Sequence, residues 1–159
     1  MSLCTDCAAA GKTCCQRSDI IITTADIARI ESAGYRDFHE YRKAISDDYG
    51  QDEDPDWDRY TCREDGTRRM LRKRPEGDCL FLGERGCVLD LDRRPLICRL
   101  YPYDYNERGL TVLRPYMCPP GRITEDPSSL PPEFNLSPSN ASRWHAQFYA
   151  ELRADIGQG

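Results

Sequence analysis

Hydrophobic residues early in the chain recur at three- and four-residue steps, which is the spacing of an amphipathic helix. A short apolar run at residues 20–22 comes first, and Thr23 or Thr24 then supplies an N-cap hydroxyl. The first predicted helix runs as far as Gly34, a residue type that favours helix ends. A second helix is predicted over residues 35–49 by an aromatic stripe. The stripe consists of Tyr35, Phe38, Tyr41, Ile45 and Tyr49.

The middle of the chain has shorter apolar runs separated by turn-forming residues, which predicts β-hairpins. One hairpin spans residues 59–74 and turns at an Asp-Gly dipeptide, which is typical of tight turns. Two further hairpins are predicted over residues 79–89 and 101–116. Between them, a short helical turn is expected to begin near Pro95 and to carry Cys98.

The last part of the chain changes in composition. Residues 119–139 are rich in proline and serine and predict an extended connector. A helix then begins at Ser139 or Asn140 and has a large apolar residue at every fourth position. These positions are Trp144, Phe148, Leu152 and Ile156. We expect this helix to dock onto the rest of the chain or onto a protein partner.

Composition and charge narrow the class of protein. The 159 residues include 39% hydrophobic and 31% charged residues, so the core is lean for a domain of this length. The longest strongly apolar run is three residues, which argues against a transmembrane helix. The first residues lack the pattern of a signal peptide, and we therefore expect a cytoplasmic protein with no membrane partner. The net charge of −5 argues against nucleic acid as a partner.

Nine cysteines are the strongest chemical signal in the sequence. In the reducing cytoplasm, dense cysteines indicate metal ligands or catalytic thiols rather than disulfides. Two residues separate Cys4 from Cys7, a spacing that lets two thiolates bind one ion in zinc and iron–sulfur sites. Successive side chains usually point apart, so Cys14 and Cys15 are expected to serve two metals or two corners of a polynuclear centre. A strained vicinal disulfide is the alternative.

Eight of the nine cysteines form the predicted ligand set, which would suit one or two metal sites. They are Cys4, Cys7, Cys14, Cys15, Cys79, Cys87, Cys98 and Cys118. Cys62 lies in a predicted surface strand and is interpreted as a bystander. A zinc ion with four thiolates carries a net charge of about −2, which nearby guanidinium groups would offset. These groups belong to Arg17, Arg93, Arg94 and Arg99.

The other polar clusters have simpler interpretations. The acidic residues 51–58 lack the spacing of a calcium loop and are expected to form a solvated loop. The basic run at residues 68–74 could bind a phosphate or an acidic partner, although a solvated strand is favoured. His39 and His145 lie on predicted helices beside core aromatics, where a structural role is favoured over metal ligation.

The cysteines of the second half stand in a distinctive sequence context. Cys79 is followed by Leu-Phe-Leu, Cys87 by Val-Leu, and Cys98 lies within Arg-Pro-Leu-Ile-Cys-Arg-Leu-Tyr-Pro. Together with the N-terminal cysteines, these motifs resemble the YkgJ-type cysteine-cluster family over roughly residues 4–121. The family is also called the CxxCxxCC domain, a putative zinc- or iron-chelating domain.

The resemblance implies a ligand set. It points to the four N-terminal cysteines and to Cys79, Cys87 and Cys98, while Cys118 is added by spacing and count. Six residues separate Cys7 from the adjacent pair, where the family name implies two. The division of the ligands between sites therefore stays open.

The predicted fold is a small, metal-stabilised α+β domain with two N-terminal helices, short β-hairpins and a C-terminal helix. Residues 1–121 are predicted to form the cysteine-cluster metal-binding domain. Residues 122–159 are predicted to add a proline-rich connector and a docking helix.

Three functional hypotheses follow. The first is a cytoplasmic metal-binding module with Zn²⁺ as the default occupant and iron or a [4Fe–4S] cluster as the alternative. Flagellin lysine methylases are similar in the cysteine motif, which implies an iron–sulfur-dependent enzyme or redox protein as the second. Catalysis stays open because the sequence has no glycine-rich phosphate loop and no Ser/His/Asp set. The third is a metallochaperone or interaction module that contacts a protein partner through the C-terminal helix.

Overall fold

The computed structural model describes residues 18–45, 54–113 and 124–156. Within these ranges it contains four α-helices and three antiparallel strand pairs, which confirms the α+β class. The helices are α1 (Thr24–Glu31), α2 (Trp57–Thr61), α3 (Leu96–Leu100) and α4 (Pro138–Ile156). The strands are β1 (His39–Arg42), β2 (Arg68–Leu71), β3 (Leu82–Gly83), β4 (Gly86–Cys87), β5 (Tyr103–Asn106) and β6 (Gly109–Leu113).

Helix α1 begins and ends close to the predicted positions. The Thr23 side chain accepts a hydrogen bond from the Asp26 backbone, and the Asp26 side chain accepts one from the Thr23 backbone. This reciprocal capping box satisfies two N–H groups that have no partner inside the helix. Gly34 lies three residues after the last helical residue and has a φ of +96°, a conformation that glycine adopts readily.

The prediction of a second N-terminal helix over residues 35–49 is wrong for the part that the structure describes. Strand β1 occupies its centre and pairs with β2, so that His39 lies opposite Leu71 and Arg42 opposite Arg68. Asp37, just before the strand, has a φ of +56°, which interrupts a right-handed helix. Pairing with a distant strand thus outweighs the helical spacing of the aromatic residues. Residues 46–49 lie outside the described ranges.

The predicted hairpin over residues 59–74 is correct in its turn and wrong in its first arm. The backbone of Arg63 donates to the Thr67 carbonyl oxygen (2.8 Å), and Gly66 within the turn has a φ of +82°. The preceding residues form α2 instead of a strand, because Trp57 and Tyr60 lie on one helical face and are both buried. Strand β2 therefore pairs with β1.

The remaining predicted elements are present. Strands β3 and β4 form a short hairpin, and β5 pairs with β6. Helix α3 begins directly after Pro95 and carries Cys98, with a 3₁₀ turn at Leu91–Arg93 before it. The described part of the proline-rich connector contains two further 3₁₀ turns, Pro127–Ser129 and Pro132–Phe134.

Helix α4 begins slightly earlier than predicted. Ser137 Oγ accepts a hydrogen bond from the Asn140 backbone (3.2 Å), so Ser137 caps the helix in place of Ser139 or Asn140. Of the predicted apolar stripe, Trp144, Phe148 and Leu152 are buried, whereas half of Ile156 is exposed. Among the described residues, no helix is both long and apolar enough to cross a membrane.

Buried side chains form two hydrophobic clusters. The larger, which we call the helix-side cluster, contains the apolar face of α4 together with Trp57, Tyr60, Leu96 and Leu100. The smaller, which we call the cysteine-side cluster, contains Ile20, Ile22, Ile30, Phe38, Leu71, Cys79, Phe81, Leu82 and Leu89. Helix α3 contributes to both clusters, because Ile97 packs against each of them while Cys98 packs against the second.

Candidate metal centre

Cys79 follows a tight turn that reverses the chain after β2. The backbone of Arg74 donates to the Asp78 carbonyl oxygen (2.7 Å), and Gly77 has a φ of +101°. Cys79 then forms an antiparallel bridge with Lys73 and is 4% exposed. This arrangement fixes the cysteine at the edge of the cysteine-side cluster.

Cys87 is placed by the short β3–β4 hairpin. It lies opposite Leu82 in the register, and the next residue, Val88, donates its N–H to the carbonyl oxygen of Phe81 (2.9 Å). A Cβ atom at Gly83 would lie 2.9 Å from the Val88 side chain, which would have to shift to make room for it. Cys87 is half-buried and packs against the cysteine-side cluster.

Cys98 is the third residue of α3. Its backbone donates to the Pro95 carbonyl oxygen (2.9 Å), and proline at the helix start has the φ angle that the first turn requires. The side chain is half-buried and, like Cys79 and Cys87, packs against the cysteine-side cluster. Three consecutive parts of the chain within residues 79–98 therefore bring three predicted ligands to one apolar cluster.

Cys62 occupies a different environment from these three cysteines. It ends α2 and forms a bridge with Arg68 at the start of β2. Its Sγ lies 3.5 Å from the Arg63 carbonyl oxygen in an exposed contact, and it belongs to neither hydrophobic cluster. Cys62 therefore differs from the other described cysteines in its packing, whereas its exclusion from the ligand set stays a prediction.

The remaining predicted ligands lie outside the described residues. These are Cys4, Cys7, Cys14, Cys15 and Cys118, and Arg17 lies outside them as well. Within residues 18–45, 54–113 and 124–156, no group of three or more His, Cys, Asp or Glu side chains has the arrangement of a metal site.

The arginines around Cys98 organise the backbone of this region. Arg99 is 8% exposed and donates to the carbonyl oxygens of Arg94 (2.9 Å) and Asp92 (2.6 Å). Its guanidinium carbon lies 5.8 Å from the centre of the Trp144 ring, a cation–π distance. Burial lowers the pKa of Arg99, because surroundings of low polarity disfavour its positive charge.

The other two arginines bind nearby carbonyl oxygens. Arg94 Nε donates to the Leu89 carbonyl oxygen (2.9 Å), which ties α3 to the segment after β4. Arg93 Nη1 donates to the Arg29 carbonyl oxygen (3.3 Å) and to the Ser32 hydroxyl, which ties the same region to α1. The hydrogen bonds described for these arginines thus join parts of the chain to one another, and the role of the arginines in offsetting thiolate charge stays a prediction.

The sequence predicts the residues at the start of α1, but it does not predict the buried ionic network to which they belong. The Asp26 carboxylate is fully buried and binds the guanidinium of Arg29 at 2.5 Å. Arg29 also donates two hydrogen bonds to Glu151 on α4, at 2.7 and 2.9 Å, and Thr23 Oγ1 donates to the same carboxylate at 2.6 Å. The charges of Arg29 and Glu151 are visible in the sequence, but their proximity depends on the tertiary fold.

Comparison with known protein families identifies the family of the chain. A family model described as a putative zinc- or iron-chelating domain, CxxCxxCC, matches residues 3–119. The match covers about three quarters of the chain. The chain belongs to this family. No match was found among curated proteins or among solved structures.

The CxxCxxCC match includes all nine cysteines and ends at the first residue of the proline-rich connector. The family resemblance inferred from the cysteine motifs is thereby confirmed, and the description of the family supports zinc or iron binding. Helix α4 lies outside the matched residues, yet its apolar face is covered by the matched part of the chain.

The two histidines of this CxxCxxCC chain contact other residues of the fold. His145 is on a helix as predicted, is 7% exposed, and its Nε2 lies 2.6 Å from the Asn106 carbonyl oxygen. His39 is in β1 rather than on a helix, and its ring contacts the ring of Phe38. Burial, with a smaller effect of Arg69, lowers the pKa of His39.

The acidic and basic runs are more deeply involved in the fold than predicted. Asp54 is 3% exposed and accepts a hydrogen bond from the Tyr149 hydroxyl (2.7 Å), and Trp57 and Asp58 begin α2. The prediction of a solvated loop over residues 51–58 is therefore wrong at these positions, while residues 51–53 lie outside the described ranges. Arg68 is 4% exposed and pairs with Asp58 at 2.5 Å, whereas Arg69 pairs with Asp155 at 2.9 Å. These arginines therefore bind acidic groups of the chain itself.

Proposed function

We propose that the chain is a metal-binding protein in which cysteine thiolates from both halves hold zinc in one or two sites. The proposed ligands are Cys4, Cys7, Cys14, Cys15, Cys79, Cys87, Cys98 and Cys118. The observation that supports this proposal is the shared environment of Cys79, Cys87 and Cys98 at the cysteine-side cluster, to which Cys62 does not belong. The family match supports a zinc or iron occupant.

The chemistry of these side chains fits the proposed metals. Thiolate sulfur is the preferred ligand of structural zinc and of iron–sulfur clusters. A shell of aliphatic and aromatic side chains limits access of water to the metal and raises the strength of its electrostatic interactions. Three described cysteines cannot complete a four-ligand site, so the proposal assigns the remaining positions to the N-terminal cysteines and Cys118. A cytoplasmic location is part of the proposal, because the thiols must stay reduced to bind metal.

Iron is the second candidate because the family description names it beside zinc. An iron–sulfur cluster uses the same thiolate ligands, and such a centre would make a redox or enzymatic role possible. The two occupants differ in colour, since Zn²⁺ has a filled d shell and absorbs no visible light. A metallochaperone would use the same thiolates and pass the metal on, whereas an interaction module would also contact a protein partner through the C-terminal helix.

Elemental analysis of protein purified anaerobically tests the metal assignment. Eight thiolates at four per ion predict about two zinc ions per chain and a colourless solution. A brown solution with iron and sulfide would replace zinc by an iron–sulfur centre. A chain that binds neither metal and titrates as nine reactive thiols would contradict the proposal.

Two matched variants test the ligand assignment. Cys98→Ser is expected to lower the metal content, because serine replaces a soft thiolate at the cysteine-side cluster. Cys62→Ser makes the same chemical change away from that cluster and is expected to leave the metal content unchanged. Equal metal loss in both variants would show that the contrast between these cysteines has no bearing on metal binding.

A further inference from the structure

The buried Asp26 carboxylate joins α1 and its N-cap residue to the start of α3. Oδ2 accepts a hydrogen bond from the Thr23 backbone (3.0 Å), and Oδ1 accepts one from the Leu96 backbone (3.1 Å). Oδ1 also accepts from Arg29 Nη2 at 2.5 Å. Since Asp26 is 0% exposed, no water competes for these contacts.

Two of these partners lie next to the two cysteine-containing parts of the chain. Thr23 ends the segment that follows Cys15, and Leu96 is the first residue of α3, two positions before Cys98. Residues 20–22 are themselves held against β2, because Leu71 donates to the Ile20 carbonyl oxygen (3.0 Å) and Ile22 donates to that of Arg69 (3.2 Å). One carboxylate therefore connects the chain that leaves the first cysteine motif to the helix that carries Cys98.

The chemistry of the contacts requires a carboxylate at this position. All three groups that face Asp26 are N–H donors, and an ionised carboxylate has two oxygens that act only as acceptors. An amide would keep one oxygen and would turn an NH₂ group toward a donor. Burial raises the pKa of Asp26, which is a cost to the charged form that the hydrogen bonds and the charge of Arg29 oppose.

We infer that Asp26 is a positioning residue for the metal site, because it fixes the start of α3, and with it Cys98, relative to the segment that follows Cys14 and Cys15. This inference rests on the proposed function, since it requires that Cys98 binds metal. It adds a residue whose hydrogen bonds, within the described part of the chain, go to no proposed ligand and that acts through the backbone of Leu96.

The experiment compares binding of Co²⁺ and Zn²⁺ to the full reduced chain and to Asp26→Asn. Co²⁺ replaces zinc and gives visible absorption that reports on thiolate ligands and their geometry. We expect Asp26→Asn to change the Co²⁺–thiolate spectrum and to bind Zn²⁺ about tenfold more weakly, the lower end of the 10–100-fold cost of losing outer-shell partners.

Glu151→Gln is the matched control within the same network. It replaces another carboxylate that binds Arg29. None of the hydrogen bonds described for Glu151 goes to α3. We expect Glu151→Gln to lower thermal stability while leaving the Co²⁺ spectrum and the Zn²⁺ affinity as in the parent chain. If both variants change the spectrum equally, Asp26 has only a structural role and the inference is overturned.

Hydrogen exchange of the unchanged protein provides a test that does not depend on folding of Asp26→Asn. The inference requires the Leu96 amide to be strongly protected in the metal-loaded chain, and free exchange at that amide would overturn it. A parent chain without any Co²⁺–thiolate absorption would overturn the proposed function and this inference together. A normal parent spectrum that Asp26→Asn leaves unchanged would overturn the inference alone.

Discussion

Tyr149 and Asp54 form a buried hydrogen bond although 95 positions separate them in the chain. Asp54 Oδ1 also accepts from the Asp56 backbone (3.0 Å), so its carboxylate is satisfied at both oxygens. Burial, together with the hydrogen bond and the charge of Asp54, raises the pKa of Tyr149 well above its usual range. An acidic run therefore contributes one residue to the core, which its composition alone does not indicate.

Tyr149→Phe is expected to lower the free energy of unfolding by about 1–3 kcal/mol, because the Asp54 carboxylate would remain buried with one hydrogen bond fewer. Urea unfolding followed by far-ultraviolet circular dichroism measures this change. Tyr41→Phe is the control, since Tyr41 is 45% exposed and its hydroxyl accepts only a surface hydrogen bond from Arg69. Equal effects of the two variants would contradict the importance of the buried pair.

The sequence was most informative at residues whose role depends on their own chemistry and close neighbours. The cap at the start of α1, expected at Thr23 or Thr24, and the turn at Gly66 were both predicted from local patterns. Asp54, Arg68 and Glu151 were misjudged or missed, because their partners lie 10 to 128 positions away. A charged residue gives no local sign that a distant partner will bury it.

Whole helices and strands also differ in whether nearby sequence or a distant partner determines them. Helix α1 contains its own cap, and the β3–β4 hairpin contains its own turn, so both could be predicted from a short stretch of sequence. Strand β1 depends on β2, which lies 26 or more positions further along the chain. Helical spacing over residues 35–45 was therefore a poor guide, since strand pairing and the left-handed Asp37 determine the backbone there.

Helices α1 and α4 are joined by charged groups whose strength depends on pH. Despite burial of Glu151, hydrogen bonds from Arg29, Thr23 and Gln147 hold the pKa of this carboxyl below its ordinary value. Because the folded chain binds the proton less readily than the unfolded chain, ionised Glu151 stabilises the fold fully above its unfolded-state pKa. This contribution is lost as pH falls through the lower folded-state pKa.

Glu151→Gln is accordingly expected to destabilise the chain at pH 7, and the difference from the parent chain should shrink as the pH falls below about 4. Urea unfolding at a series of pH values measures this difference. Ser142→Ala, an exposed and non-ionising change on the same helix, serves as the control and should give a difference that does not vary with pH. A constant difference for Glu151→Gln would contradict a contribution from its charge.

For the whole molecule, the proposed metal would connect two parts of the chain that lie far apart in the sequence. Ligands from residues 4–15 and from residues 79–118 would close a loop of some sixty residues. Metal binding to the folded state adds its binding free energy to the stability of the fold. The fold class could be predicted without the metal, whereas the ligand geometry could not, because it depends on where distant cysteines meet.

Removal of the metal with a chelator under reducing conditions is therefore expected to lower the melting temperature, and added Zn²⁺ should restore it. Differential scanning calorimetry measures the change, with elemental analysis to establish that the metal has been removed. Cys62→Ser should show the same decrease and recovery as the parent chain. An unchanged melting temperature after complete removal would mean that the metal does not stabilise the fold.

Helix α3 packs in both hydrophobic clusters, so cleavage of the connector is not expected to release α4. A protease that cuts the exposed connector near residues 125–128 would break the covalent link to α4. Trp144, Phe148 and Leu152 would still be covered by side chains that include Leu96 and Leu100. We therefore expect the two fragments to remain together as a noncovalent complex, and to separate only when a denaturant disrupts the packing around α3.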